Sequence, residues 1–147
     1  MEEILRQTLK LSEKNHQTHI KVPFLVTKTY TQLQIQFDYE PQVVAENLAS
    51  QAILAALAIY FPVGEQPPVR TFLPLFNLLT LSLSYQNMYL GCYHHKQAHQ
   101  LITISHEVSS FGFLAQPVLP GEWEIQLNAH CIQSDNVCAE IVISGVK

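Results

Sequence analysis

Seven histidines are the residues of this chain with the widest chemical reach: His16, His19, His94, His95, His99, His106 and His130. A neutral imidazole binds transition metals and exchanges protons near neutral pH. Four of the seven fall between His94 and His106, as a metal-binding tract would. Zinc, however, takes three or four ligands converging from fixed directions, commonly His together with Cys or carboxylate. From Tyr93 to His106 the chain has no Asp, Glu or Cys. Adjacent histidines on a strand also point to opposite faces. The tract therefore reads as a solvated loop, and no metal or cofactor is expected.

Nucleophile arrangements are equally sparse. No G-x-S-x-G occurs, and Ser109-Ser110-Phe111-Gly112-Phe113 lacks the first glycine of a nucleophile elbow. Cys92 and His94 are two apart, which places them on one face of an extended segment. No fixed cation lies close enough in sequence to lower the thiol's pKa, so Cys92 reads as structural. No catalytic residue is expected. Asn128 and His130 are likewise two apart, and they share a polar face with Glu124 and Gln126. Such a face is ordinarily solvated. The sharper reading brings His94 to Asn128 and His130 in a shallow site for a small polar ligand.

What positions these residues is a run of alternating strands. Leu33, Ile35, Phe37 and Tyr39 alternate with Gln32, Gln34, Gln36 and Asp38, the period-two pattern of a strand with one buried and one wet face. Ile20, Val22, Phe24 and Val26 repeat it, as do Trp123, Ile125, Leu127, Ala129 and Cys131. Shorter runs at 5–11, 78–83, 101–104 and 137–143 also read as strands. One-sided alternation marks antiparallel sheets packed face to face. The expected fold is all-β: a single-domain antiparallel β-sandwich of about eight strands. The last two strands can be written as a hairpin pairing Cys131 with Ala139 across Ser134-Asp135-Asn136, with Asn136 left-handed.

One segment breaks the pattern. Residues 42–61 are rich in alanine, the best helix former, and Pro62 and Pro67-Pro68 end the run. The spacing predicts an α-helical insertion, with Pro41 tolerated at its start. From Ala52 to Phe61 the helix is apolar all round, more than one sheet face can bury. Either the loop at 63–72 covers the surplus, or the helix meets a second copy or a protein partner.

Composition narrows the partners. Only 14% of residues are charged, the net charge is −4, and the only arginines are Arg6 and Arg70. A nucleic-acid surface, which wants clustered Arg and Lys, is not expected. The longest apolar run, 52–63, is too short to span a bilayer. The acidic start Met1-Glu2-Glu3 is unlike a secretory signal, and three cysteines cannot all pair within one chain. Cytoplasm is the expected compartment.

Two longer stretches carry a family likeness. Asn77 to Leu83 runs on through Met88-Tyr89-Leu90-Gly91-Cys92-Tyr93-His94; Ser110-Phe111-Gly112-Phe113 leads to Pro120-Gly121-Glu122-Trp123 and on to Leu127-Asn128-Ala129-His130. With Val22-Pro23-Phe24 and Phe37-Asp38-Tyr39, this resembles the N-terminal β-sandwich that precedes the catalytic domain in some bacterial PHP-type metal-dependent phosphoesterases. The resemblance implies an accessory module without the enzyme, since the phosphoesterase's metal-binding motifs have no counterpart. It maps a polar site onto His94, Asn128 and His130, with Leu90 where the family commonly has Arg. The expected function is a non-catalytic binding or accessory module that associates with itself or a protein partner. The alternative is a metal-dependent hydrolase, or a helper of a separately encoded phosphoesterase, using His94 and His130.

Overall fold

A computed structural model describes all 147 residues. Its eight strands are β1 (Glu2–Leu11), β2 (Thr18–Val26), β3 (Gln32–Glu40), β4 (Leu78–Tyr85), β5 (Met88–Tyr93), β6 (His99–Ser105), β7 (Gly121–Cys131) and β8 (Val137–Val146). They form two four-stranded antiparallel sheets, ordered β1-β8-β3-β6 and β2-β7-β4-β5. The chain is a β-sandwich. Its core is made by the alternating apolar residues: Leu33, Ile35, Phe37 and Tyr39 from β3, Trp123, Ile125, Leu127 and Ala129 from β7, and Val137, Ala139, Ile141 and Ile143 from β8. Each fully buried Val, Leu or Ile side chain among them contributes roughly 1.5–3 kcal/mol relative to exposure. Trp123 anchors one end, its ring centroid 4.5 Å from that of Tyr85 and its indole N–H donating to the Leu119 carbonyl.

The eighth strand, β5, is the one that alternation does not reveal. It is joined to β4 by a two-residue turn, Gln86-Asn87, with both residues at positive φ, the geometry that fits strand twist. Because that turn and a bulge intervene, Tyr85, Tyr89 and Tyr93 do not share a face. Tyr85 packs on Trp123, Tyr89 is exposed, and Tyr93 is half-buried and stacks on His95.

The last two strands do not form a hairpin. β7 pairs with β2 and β4 while β8 pairs with β1 and β3, so Cys131 lies opposite Leu78, and Ala139 opposite Leu9 and Tyr39. Asn136 is not left-handed. Matching buried faces is as well satisfied by strands facing each other across the core as by neighbours in one sheet. The link between them is pinned by a buried amide: Asn77 Oδ1 accepts from the Gln133 N–H, and Asn77 Nδ2 donates to Ser134 Oγ.

Between β3 and β4 the chain leaves the sandwich as an arm. Its stem is extended, with Val43 opposite Phe76, the Asn77 N–H donating to the Gln42 carbonyl and the Val44 N–H to that of Leu75. These pairings hold Pro41 to Ala45 out of the helix, which is shorter than the sequence predicts: α1 runs Glu46–Tyr60. Ala49, Ile53 and Leu57 are buried beneath it, outside the inter-sheet core. The element in closest contact with α1 is a short 3-10 turn at Val69–Phe72. The loop thus covers one side of the helix, and Leu54, Ile59, Tyr60 and Val63 remain exposed. No helix is long and apolar enough to cross a membrane.

Gly91 and Gly112 are dictated by close backbone approach. Gly91 sits at φ +140°, and a Cβ there would lie 2.0 Å from the Gly112 carbonyl oxygen, where residues 112–114 cover the edge of β5. Gly64, at φ +88°, has open space around it. Gly91→Ala is expected to cost about 3 kcal/mol or more in urea unfolding, and Gly64→Ala only about 1 kcal/mol. Equal costs would contradict this packing of the β5 edge.

Candidate functional site

The outward face of the second sheet carries the polar residues singled out from sequence. Antiparallel register sets His19 of β2 opposite Asn128 of β7, and Asn128 opposite Thr80 of β4. One row along, Gln126 stands opposite Ser82, and Ser82 opposite Cys92 of β5. His94 follows β5 directly, and its ring centroid is 6.4 Å from that of His130. The structure therefore brings His94, Asn128 and His130 into one neighbourhood. It differs from the expectation of a solvated face: Asn128, Thr80, Ser82 and Cys92 are all buried, with Asn128 only 5% exposed.

A buried amide must find partners for two donors and two lone pairs. Asn128 finds all four. Its Nδ2 donates to Ser82 Oγ at 2.9 Å and to Thr80 Oγ1 at 3.3 Å. Its Oδ1 accepts from Gln126 Nε2 and from His19 Nδ1, both at 2.9 Å. Thr80 is used to the same extent: Oγ1 accepts from Asn128 and from the Cys92 thiol at 3.6 Å, so its own hydrogen goes to His130 Nε2 at 2.8 Å. That bond requires His130 to be the neutral, Nδ1-protonated tautomer. Partial desolvation pushes the His130 pKa below the ordinary histidine value, and the nearby rings of His94 and His19 push it the same way.

Thr80 and His130 have the spacing of a nucleophile and its base, yet the arrangement does not suit that chemistry. Thr80 is 2% exposed, so a substrate carbon cannot approach its oxygen. No carboxylate bonds the second nitrogen of His130 to orient the ring. No three His, Cys, Asp or Glu side chains gather closely enough to share a metal ion. The His94–His106 tract diverges because its loop crosses from one sheet to the other. His94 ends near the β4–β7 face, whereas His99 pairs with Asp38 at 2.7 Å on the opposite sheet.

The thiols are unpaired: Cys92 is buried, Cys131 half-buried on β7 and Cys138 exposed on β8 in the other sheet. Burial raises the Cys131 pKa, away from reactivity. A concavity of about 570 Å³ lies further along the same outer face and includes Lys21, Ser84, Gln86, Glu124 and Gln126, but none of His94, Asn128 and His130.

Thr80, Ser82 and His19 are the network members that sequence reasoning did not connect to Asn128. Their alternation against Leu79, Leu81, Leu83 and Ile20 places them on outward faces, but only the strand order β2-β7-β4 brings those faces together. No protein-family model and no curated protein matches the chain.

Two outcomes test the network as a structural device. Asn128→Ala strands the buried Ser82 and Thr80 hydroxyls and is expected to cost about 2–3 kcal/mol in denaturant unfolding. His19→Ala, at the exposed end, is expected to cost under about 1 kcal/mol. His130 also sets a pH dependence. The unfolded ring takes up a proton near pH 6.5 while the folded ring resists it, so the unfolded state binds more protons and stability falls as pH drops below about 6.5. The decline ends once the folded ring is protonated too. His130→Gln, which keeps an acceptor for Thr80 and does not titrate, is expected to flatten that part of the urea-midpoint profile. An unchanged profile would remove His130 as its cause.

Proposed function

We propose that this chain is a non-catalytic association module in which the sandwich is the scaffold and the arm around α1 is the binding surface. The observation that carries this reading is that the buried residues of α1 lie outside the inter-sheet core, against its own loop, while apolar side chains around them stay exposed. Exposed apolar residues gathered in one short segment, as Ile59, Tyr60, Phe61 and Val63 are, mark an interaction site. The polar face supports the same reading from the other side, because Asn128 and Thr80 spend their hydrogen-bonding capacity on each other and their neighbours.

The likeness to the accessory sandwich of PHP-type phosphoesterases favours a supporting role over a catalytic one. In that setting a phosphoesterase would be served by this module. The reading puts the protein in the cytoplasm, where three unpaired thiols stay reduced. A small polar ligand would have only the exposed rings of His94 and His130 to meet, since Asn128 is enclosed.

The reading requires that the arm's apolar tip be unpartnered within one molecule. Ile59→Lys with Val63→Lys should then leave the thermal midpoint of dilute protein within about 2 °C of the parent, as expected for surface changes within about 0.5 kcal/mol. A fall of about 8 °C or more at the lowest concentration would mean that these side chains are buried in the single molecule, and the reading would fail.

A further inference from the structure

Resting on that reading, we infer that the occupant of the arm's surface is the arm of a second copy of this chain, related by a two-fold axis. Three observations select a copy over other partners.

The first is size. Ile59 and Tyr60 are each 78% exposed, Phe61 38% and Val63 98%, whereas Leu54, five residues before Ile59, points to another side of α1. Together the four residues at the tip present roughly 600 Å² of largely apolar surface, using about 200 Å² for a large whole residue. That is one partner's share at the small end of specific stable interfaces, about 600 Å².

The second is charge. From Pro41 to Phe76 the chain has only Glu46, Glu65 and Arg70, although the protein as a whole carries −4. Two arms therefore meet with little like-charge repulsion. The surface also offers no charge pattern to recognise an acidic or basic partner, nor the Lys and Arg fringe with which an amphipathic helix holds a lipid headgroup layer.

The third is self-complementarity. Beside the projecting Ile59 and Val63, the arm has a groove of about 260 Å³ lined wholly by apolar residues, among them Ile53, Leu57, Phe61, Phe72 and Leu75. A surface holding both a projection and a groove is what an isologous contact needs, because the two-fold axis makes each contact twice.

The sheet edges leave the arm as the place for such pairing. Pro23 interrupts the donor row of β2, and β1 is bulged between Glu3 and Leu5 and lined with charge. The β5 edge is bonded by residues 112–114, and the β6 edge by Ser110 and Gln116. These are the devices by which sandwiches avoid edge-to-edge association.

Sedimentation equilibrium from about 1 to about 200 µM tests the inference, with the parent protein beside Ile59→Asp and Val63→Asp. The expected result is a monomer–dimer equilibrium in the parent that weakens about 100-fold or more in each variant, while far-ultraviolet circular dichroism stays unchanged. A parent that is monomeric at about 200 µM overturns the second copy as occupant, as does a dimer indifferent to both changes. Pelleting with neutral phosphatidylcholine vesicles separates the remaining occupant: binding lost in the variants, from a monomeric parent, would give the surface to lipid. A monomeric parent whose thermal midpoint is untouched by the lysine pair would leave the exposed arm standing and remove only the copy.

Discussion

One buried asparagine decides where the chain goes on both sides of the sandwich. Asn77 is 1% exposed and stands where β4 begins. Its amide nitrogen donates to the Pro41 carbonyl, at the start of the arm, and to Ser134, in the crossover from β7 to β8. Its amide oxygen accepts from Gln133, and its backbone carbonyl accepts from the Tyr39 hydroxyl. Sheet packing alone fixes the inner faces. This amide joins the end of β3, the root of the arm and the crossover at one point, so the arm leaves the sandwich from a defined place. Removing it would strand several buried groups at once, each at a cost of about 1–3 kcal/mol.

The two polar networks divide the labour. The one around Asn77 holds the arm, and the one around Asn128 fills the outward face of the second sheet. In the latter, His130 bonds a hydroxyl already committed to an amide, which makes the patch pH-sensitive. The arm is the opposite case: largely apolar side chains held outside the inter-sheet core.

Much of this is legible in the residues. Strict alternation in β3, β7 and β8 yields the buried faces. The apolar second half of α1 announces a surplus that the loop only half covers. Three things are not legible because they depend on contacts distant in sequence. Strand order brings His19 and Thr80 to Asn128. The stem pairing of Val43 with Phe76 postpones the helix to Glu46. The sheet assignment of β8 turns an apparent hairpin into a crossover. Residue pattern reports which way a side chain faces, and long-range pairing determines what it faces.

The most direct test is amide hydrogen exchange resolved along the chain at low and high protein concentration. Protection rising with concentration in Leu54–Val63, with β4 and β7 unchanged, is the predicted result. Protection rising across the outward face of β4 and β7, with the arm unchanged, would contradict the account.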